Sequence, residues 1–168
     1  QGIGCVYGGY VSSGGTAEDN TVTISSGTIG VNSGYVYGGY AQNGTARNNR
    51  VIMEGGQVDG HSSETEGHLY GGCVSSGTAE GNTVTVSGGT IGNTSGTVAG
   101  GYVSAGGTAQ SNSVIVSGGI IGVSNGTIYG GYAANGKAQS NSVIVSGGTI
   151  GSKEEQGIGY VYGGYVSG

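Results

Sequence analysis

The chain has 168 residues, 43 of them glycine, with four basic and nine acidic side chains and no Pro, Phe or Trp. So few Lys and Arg argue against nucleic acid, whose phosphates need them, and no stretch of 18 apolar residues offers a membrane-spanning helix. Abundant Val, Ile and Thr with little charge argue against disorder, and the prevalence of Gly, Ser, Thr, Asn and Val argues against long helices.

Read from the start, QGIGC (1–5) leads into VYGGYVS, and the chain then returns to that motif throughout. The apolar residue before each copy is Val6, Val36, Leu69, Val98, Ile128 and Val161, in steps of 30, 33, 29, 30 and 33 residues. One unit reads V-Y-G-G-Y-V-S-x-G-T-A-x-x-N-x-V-x-V-S-G-G-x-I-G and ends in a variable tail. There are five full units and part of a sixth, so residues 1–168 read as one repeat domain.

Within a unit the first apolar column is the one just named. The second is Val11, Ala41, Val74, Val103, Ala133 and Val166, and the third Ala17, Ala46, Ala79, Ala109 and Ala138. An asparagine column follows: Asn20, Asn49, Asn82, Asn112 and Asn141. The V-x-V columns come next, Val22/Val51/Val84/Val114/Val143 and Ile24/Met53/Val86/Val116/Val145, with the strand period of two. The last is Ile29, Val58, Ile91, Ile121 and Ile150. A unit with such short apolar tracts cannot bury its own face, but stacked on identical neighbours it can. The expectation is an all-β fold, a single parallel β-solenoid of about 30 residues per repeat. The apolar columns become inner seams and the asparagines a ladder of stacked amides. Glycines mark corners, needed for positive φ or close backbone approach.

If Val36 points inward, alternation sends Tyr37 outward, the Gly38-Gly39 pair turns the corner, and Tyr40 points outward again. Tyr7, Tyr37, Tyr70, Tyr129 and Tyr162 then form one outward ladder, and Tyr10, Tyr40, Tyr102, Tyr132 and Tyr165 a second, flanking a bare glycine ridge. Tyr35 and Tyr160 belong to a third column. The ladders either stiffen the tube by stacking or dock a partner surface or a glycan. Between the two inward V-x-V positions lie Thr23, Ile52, Thr85, Ile115 and Ile144. Where Ile stands there the tract is apolar without alternation, which predicts lateral contact of that wall with another chain.

Length variation falls in the tails. The long ones carry Asp59, His61, Glu64, Glu66 and His68, and Lys153, Glu154 and Glu155. Their spacing matches no compact metal motif and they read as solvated loops, so no metal, no cofactor and no catalytic residue is assigned. Cys5 and Cys73 fall in different columns two units apart, beyond the reach of an internal disulfide. Three Asn-x-Ser/Thr triplets, at Asn43, Asn93 and Asn125, are the number chance supplies in such a composition. The segment QGIGxVYGGYVS recurs 155 residues on, at 156–167, without a capping change of pattern. That fits a segment of a longer array, or copies stacking end to end through raw strand edges.

The run GNTVTVSGGTIGNTSGTVAGGY (81–102), with its relatives at 20–40 and 112–132, resembles the passenger-type repeats of bacterial autotransporter and adhesin-like surface proteins. The resemblance implies a right-handed parallel β-helix displayed outside the cell, for adhesion or structure more often than catalysis. The leading functional expectation is a structural or adhesive building block of a bacterial surface fibre. It self-associates end to end and laterally and meets host or matrix glycans. The alternative is a carbohydrate-active or glycan-binding β-helix module, which needs unlike residues breaking the columns on one face. An ice-binding face would need a flat threonine ladder, and isoleucine interrupts the Thr23 column in three of five coils.

Overall fold

The computed structural model describes residues 4–30, 33–59, 66–151 and 158–168. His61, Glu64, Lys153, Glu154 and Glu155 lie outside the described residues. All regular structure among the described residues is β, and all of the pairing is parallel.

The chain winds as a β-solenoid with one coil per repeat. The coils begin at Cys5, Ser33, Glu66, Ser95 and Asn125, and Ile158 opens a sixth. The first sheet stacks Cys5–Val11, Ser33–Arg47, Glu66–Glu80, Ser95–Val103, Asn125–Ala134 and Ile158–Ser167 in sequence order, with short strands such as Gly107–Gln110 pairing alongside. The second stacks Thr21–Ile24, Arg50–Met53, Thr83–Val86, Ser113–Val116 and Ser142–Val145. The third stacks two-residue strands, from Thr28–Ile29 to Thr149–Ile150. The register is letter upon letter. Val36 lies between Val6 and Leu69, and Ile115 between Thr85 and Ile144.

The seams form two interiors. The larger joins the Val36, Val51, Met53 and Val58 columns, and its members in the middle coils have no exposure. The smaller joins the Ala41 and Ala46 columns. The asparagine ladder stands at the junction of the two. Asn20 donates its side-chain amide to Asn49 Oδ1 at 2.8 Å, Asn49 to Asn82 at 3.0 Å, Asn82 to Asn112 at 2.9 Å and Asn112 to Asn141 at 3.0 Å. Each of Asn49, Asn82, Asn112 and Asn141 also donates to an alanine carbonyl of the preceding coil. The oxygens of the last four accept a backbone N–H besides the neighbouring amide. A buried amide is tolerated when its groups are matched in this way.

The corners are not where the sequence suggests. Gly38 and Gly39 lie within the 15-residue strand Ser33–Arg47, neither with positive φ. They are buried. Their missing side chains are a matter of space: a Cβ on Gly39 would overlap the Asn49 amide, and one on Gly38 would overlap the Gly71 carbonyl. The left-handed corners belong to the last glycine of the S-S-G, E-G-G and S-G-G segments, with φ between 81° and 88° at Gly27, Gly56, Gly89, Gly119 and Gly148. A further left-handed column precedes the asparagines, where Asp19, Asn48, Ser111 and Ser140 have φ of 54° to 57°. Asp and Asn are among the non-glycine residues that visit this region most readily.

Candidate functional site

The outer face of the first sheet carries the tyrosines, lifted there by strand alternation on either side of the glycine pair. The two main columns do not flank a bare ridge: their rings lean together across the glycines. Tyr37 and Tyr40 meet edge to face at 5.5 Å, and Tyr7 and Tyr10 at 5.1 Å. Along the columns the rings stack, Tyr7 on Tyr37 at 4.8 Å and Tyr102 on Tyr132 at 4.5 Å. Tyr129 stacks on Tyr162 at 5.5 Å and Tyr132 on Tyr165 at 5.8 Å. Such offset and edge contacts are the favoured geometries of aromatic pairs.

Burial divides the wall. Tyr10 is 58% exposed, whereas Tyr70 is 6% exposed. Tyr70 was expected among the outward contact residues, but its ring is packed inside the wall. Two departures from the repeat explain this. Cys73 stands where other coils have the second tyrosine, and Ala99 stands where the first tyrosine belongs in the next coil. The ring of Tyr70 fills that space and packs on Tyr102 at 4.8 Å. Tyr70, Cys73 and Ala99 form a buried cluster of their own. The signal was legible in LYGGC and VAGGY, the two motif copies that lack a tyrosine.

Burial suppresses ionisation of several of these phenols. It pushes Tyr102 up to about 12, helped by the neighbouring Tyr132 phenol, and it raises Tyr37 and Tyr70 as well. Burial also pushes the Cys73 thiol up to about 12, away from thiolate chemistry. Cys5 is exposed and lies in the Tyr35 column; both cysteines are free.

One polar cluster interrupts the aromatic wall. Glu66, His68 and Tyr70 alternate along the strand Glu66–Glu80 and so share its outer face. Tyr70 Oη lies 3.2 Å from His68 Nδ1, and His68 Nε2 lies 3.4 Å from Glu66 Oε2. The imidazole stacks under Tyr35 at 4.6 Å. Burial lowers the affinity of His68 for a proton, against the raising effect of Glu66. Sequence reasoning had grouped His68 and Glu66 with Asp59, His61 and Glu64. Asp59 is instead buried, with Gln57 donating to it at 2.6 Å. No group of three or more His, Cys, Asp or Glu side chains able to hold a metal occurs among the described residues.

The lateral column of the second sheet is continuous, as expected. Ile52 and Ile115 are partly buried and Ile144 is 58% exposed. No helix among the described residues is long and apolar enough to cross a membrane. Comparison with known proteins returns no match, whether to a family model, a curated protein or a solved structure.

Proposed function

We propose that the protein is a structural or adhesive β-solenoid of an extracellular surface fibre. The observation that supports this reading is the division of labour between inside and outside. The interior columns are filled by their own side chains at no exposure in the middle coils, so contacts with other molecules fall to the outer faces. Two of those faces carry rows of contact-type side chains, tyrosine interrupted at Cys73 and Ala99 on one and Ile/Thr on the other. The lateral row of Ile52, Ile115 and Ile144 joins neighbouring solenoids. End-to-end association extends from one copy to the next the same letter-on-letter parallel stacking that joins successive coils. The resemblance of residues 81–102 to passenger repeats supports a place outside the cell, on a bacterial surface. Negative-stain electron microscopy of the purified protein tests the reading: fibres of constant width support it, and discrete particles a few repeats long overturn it.

A second reading is favoured by the outer tyrosine column, whose members Tyr40, Tyr102 and Tyr132 stay partly exposed in the middle coils. Exposed aromatic faces suit the apolar face of a sugar ring, and the module would then bind glycans. Binding to immobilised glycans that is lost in Tyr132→Ala supports it. Equal binding by Tyr132→Ala and the parent protein rejects it.

A further inference from the structure

The third coil is where the repeat is most heavily rewritten on the tyrosine face. His68 replaces the Tyr35-column residue, Cys73 replaces a tyrosine, and Ala99 above opens the space that Tyr70 fills. These departures converge on one buried phenol, whose hydroxyl is 3.2 Å from a histidine nitrogen. We propose that this coil is a one-electron redox site, in which Tyr70 is oxidised and His68 takes up its proton. The partner is a one-electron oxidant of the metal-complex or peroxidase-intermediate class.

The step balances. The oxidant gains one electron from the Tyr70 phenol, the O–H bond breaks, and the proton passes to His68 Nδ1. The products are a neutral phenoxyl radical, an imidazolium and the oxidant reduced by one electron. Tyr70 Oη donates to Nδ1, which puts the imidazole hydrogen on Nε2, facing Glu66 Oε2 at 3.4 Å. The carboxylate steadies the imidazolium that forms and is itself open to solvent. Burial favours the neutral imidazole beforehand, so the acceptor nitrogen is free at neutral pH. Among the described residues no other tyrosine is hydrogen-bonded to an imidazole.

The wall also supplies a route. All twelve tyrosines and His68 are linked in one network, with neighbouring ring centroids 4.5 to 6.1 Å apart. An oxidising equivalent taken at the exposed Tyr10 passes through Tyr7 or Tyr40 to Tyr37 and then to Tyr70. It stops where the proton has somewhere to go, on a ring shielded from radical coupling with other chains.

The test is flash generation of ruthenium(III) tris-bipyridine beside the intact protein, with a cobalt(III) acceptor, following the phenoxyl absorption and electron paramagnetic resonance signals. The parent protein gives a persistent radical, formed more slowly in D2O. Tyr70→Phe, which keeps the ring, removes the persistent signal and leaves transient ones. His68→Thr, the residue found in that column at Thr97 and Thr127, slows formation about a hundredfold, the low end for loss of a positioned base, and abolishes the solvent isotope effect. Circular dichroism checks that both variants keep the fold. An unchanged radical in Tyr70→Phe, or an unchanged rate and isotope effect in His68→Thr, overturns the proposal.

Discussion

At the scale of single residues, the asparagine ladder carries the clearest energetic consequence. Asn82 satisfies Asn49 from one side and is satisfied by Asn112 from the other, while its Nδ2 donates to the Ala46 carbonyl. In Asn82→Ala the Asn49 backbone N–H loses its acceptor, the Asn49 amide keeps only its bond to Ala17, and the Ala46 carbonyl loses a donor, all in a buried place. At 1–3 kcal/mol per unsatisfied group, the variant loses about 3 kcal/mol or more, read as a fall in the denaturant midpoint. Asn20→Ala, at the partly exposed end of the ladder, loses about 1 kcal/mol by the same reasoning. Glycines separate in the same way. Gly39→Ala pushes into the Asn49 amide and destabilises more than Gly27→Ala, where the added methyl meets nothing and the cost is the positive φ alone. The thiols give a third residue-level result. A water-soluble disulfide reagent labels Cys5 in the folded protein and leaves Cys73 unmodified until denaturant is added. Release of two thiols per chain without denaturant contradicts the burial of Cys73.

At the scale of elements, the columns make substitution rules simple. Leu69 is fully buried in the larger interior, so Leu69→Ala costs about 2–5 kcal/mol, with the spread set by how far neighbouring coils close the gap. The outward column of the second sheet behaves differently, because threonine already stands at Thr23 and Thr85. Replacing Ile52, Ile115 and Ile144 together by threonine keeps the fold, at roughly 0.5 kcal/mol per site or less. On the proposed function the triple variant gives thinner, unbundled fibres in electron microscopy; bundling at the parent level removes the lateral role of this row. The elements also show what a single sequence can reveal. Register was legible because identical letters recur at near-constant steps, and stacking is the arrangement that seals every apolar column. The role of the Gly-Gly pair in a strand was not legible. Sequence shows that a side chain is missing, but not that the Asn49 amide of a different strand occupies the space. For the same reason Tyr70 read as open to solvent on the outer face. Its burial depends on Ala99 one coil above, a contact between residues 29 apart in the chain.

At the scale of the whole molecule, alkaline stability ties the tyrosine wall to the fold. In the unfolded chain the phenols lose their protons near the ordinary value of 10.0. In the folded protein burial raises Tyr37, Tyr70 and Tyr102, the last to about 12. Below pH 10 both states hold these protons and the phenols contribute no pH dependence. Above pH 10 the unfolded state binds fewer protons than the folded state, so the free energy of unfolding falls as pH rises. The buried Cys73 thiol, raised from 9.0 to about 12, starts the decline near pH 9, and the raised phenols steepen it between about pH 10 and about pH 12. Phenolate absorption is followed against pH. The buried rings appear together, at the pH where far-ultraviolet circular dichroism reports loss of the sheet. Tyr70→Phe removes one raised group from the middle of the wall and makes the decline shallower, without moving its onset. Titration of Tyr37, Tyr70 and Tyr102 near pH 10 with the sheet intact would mean that these rings are not buried in a wall.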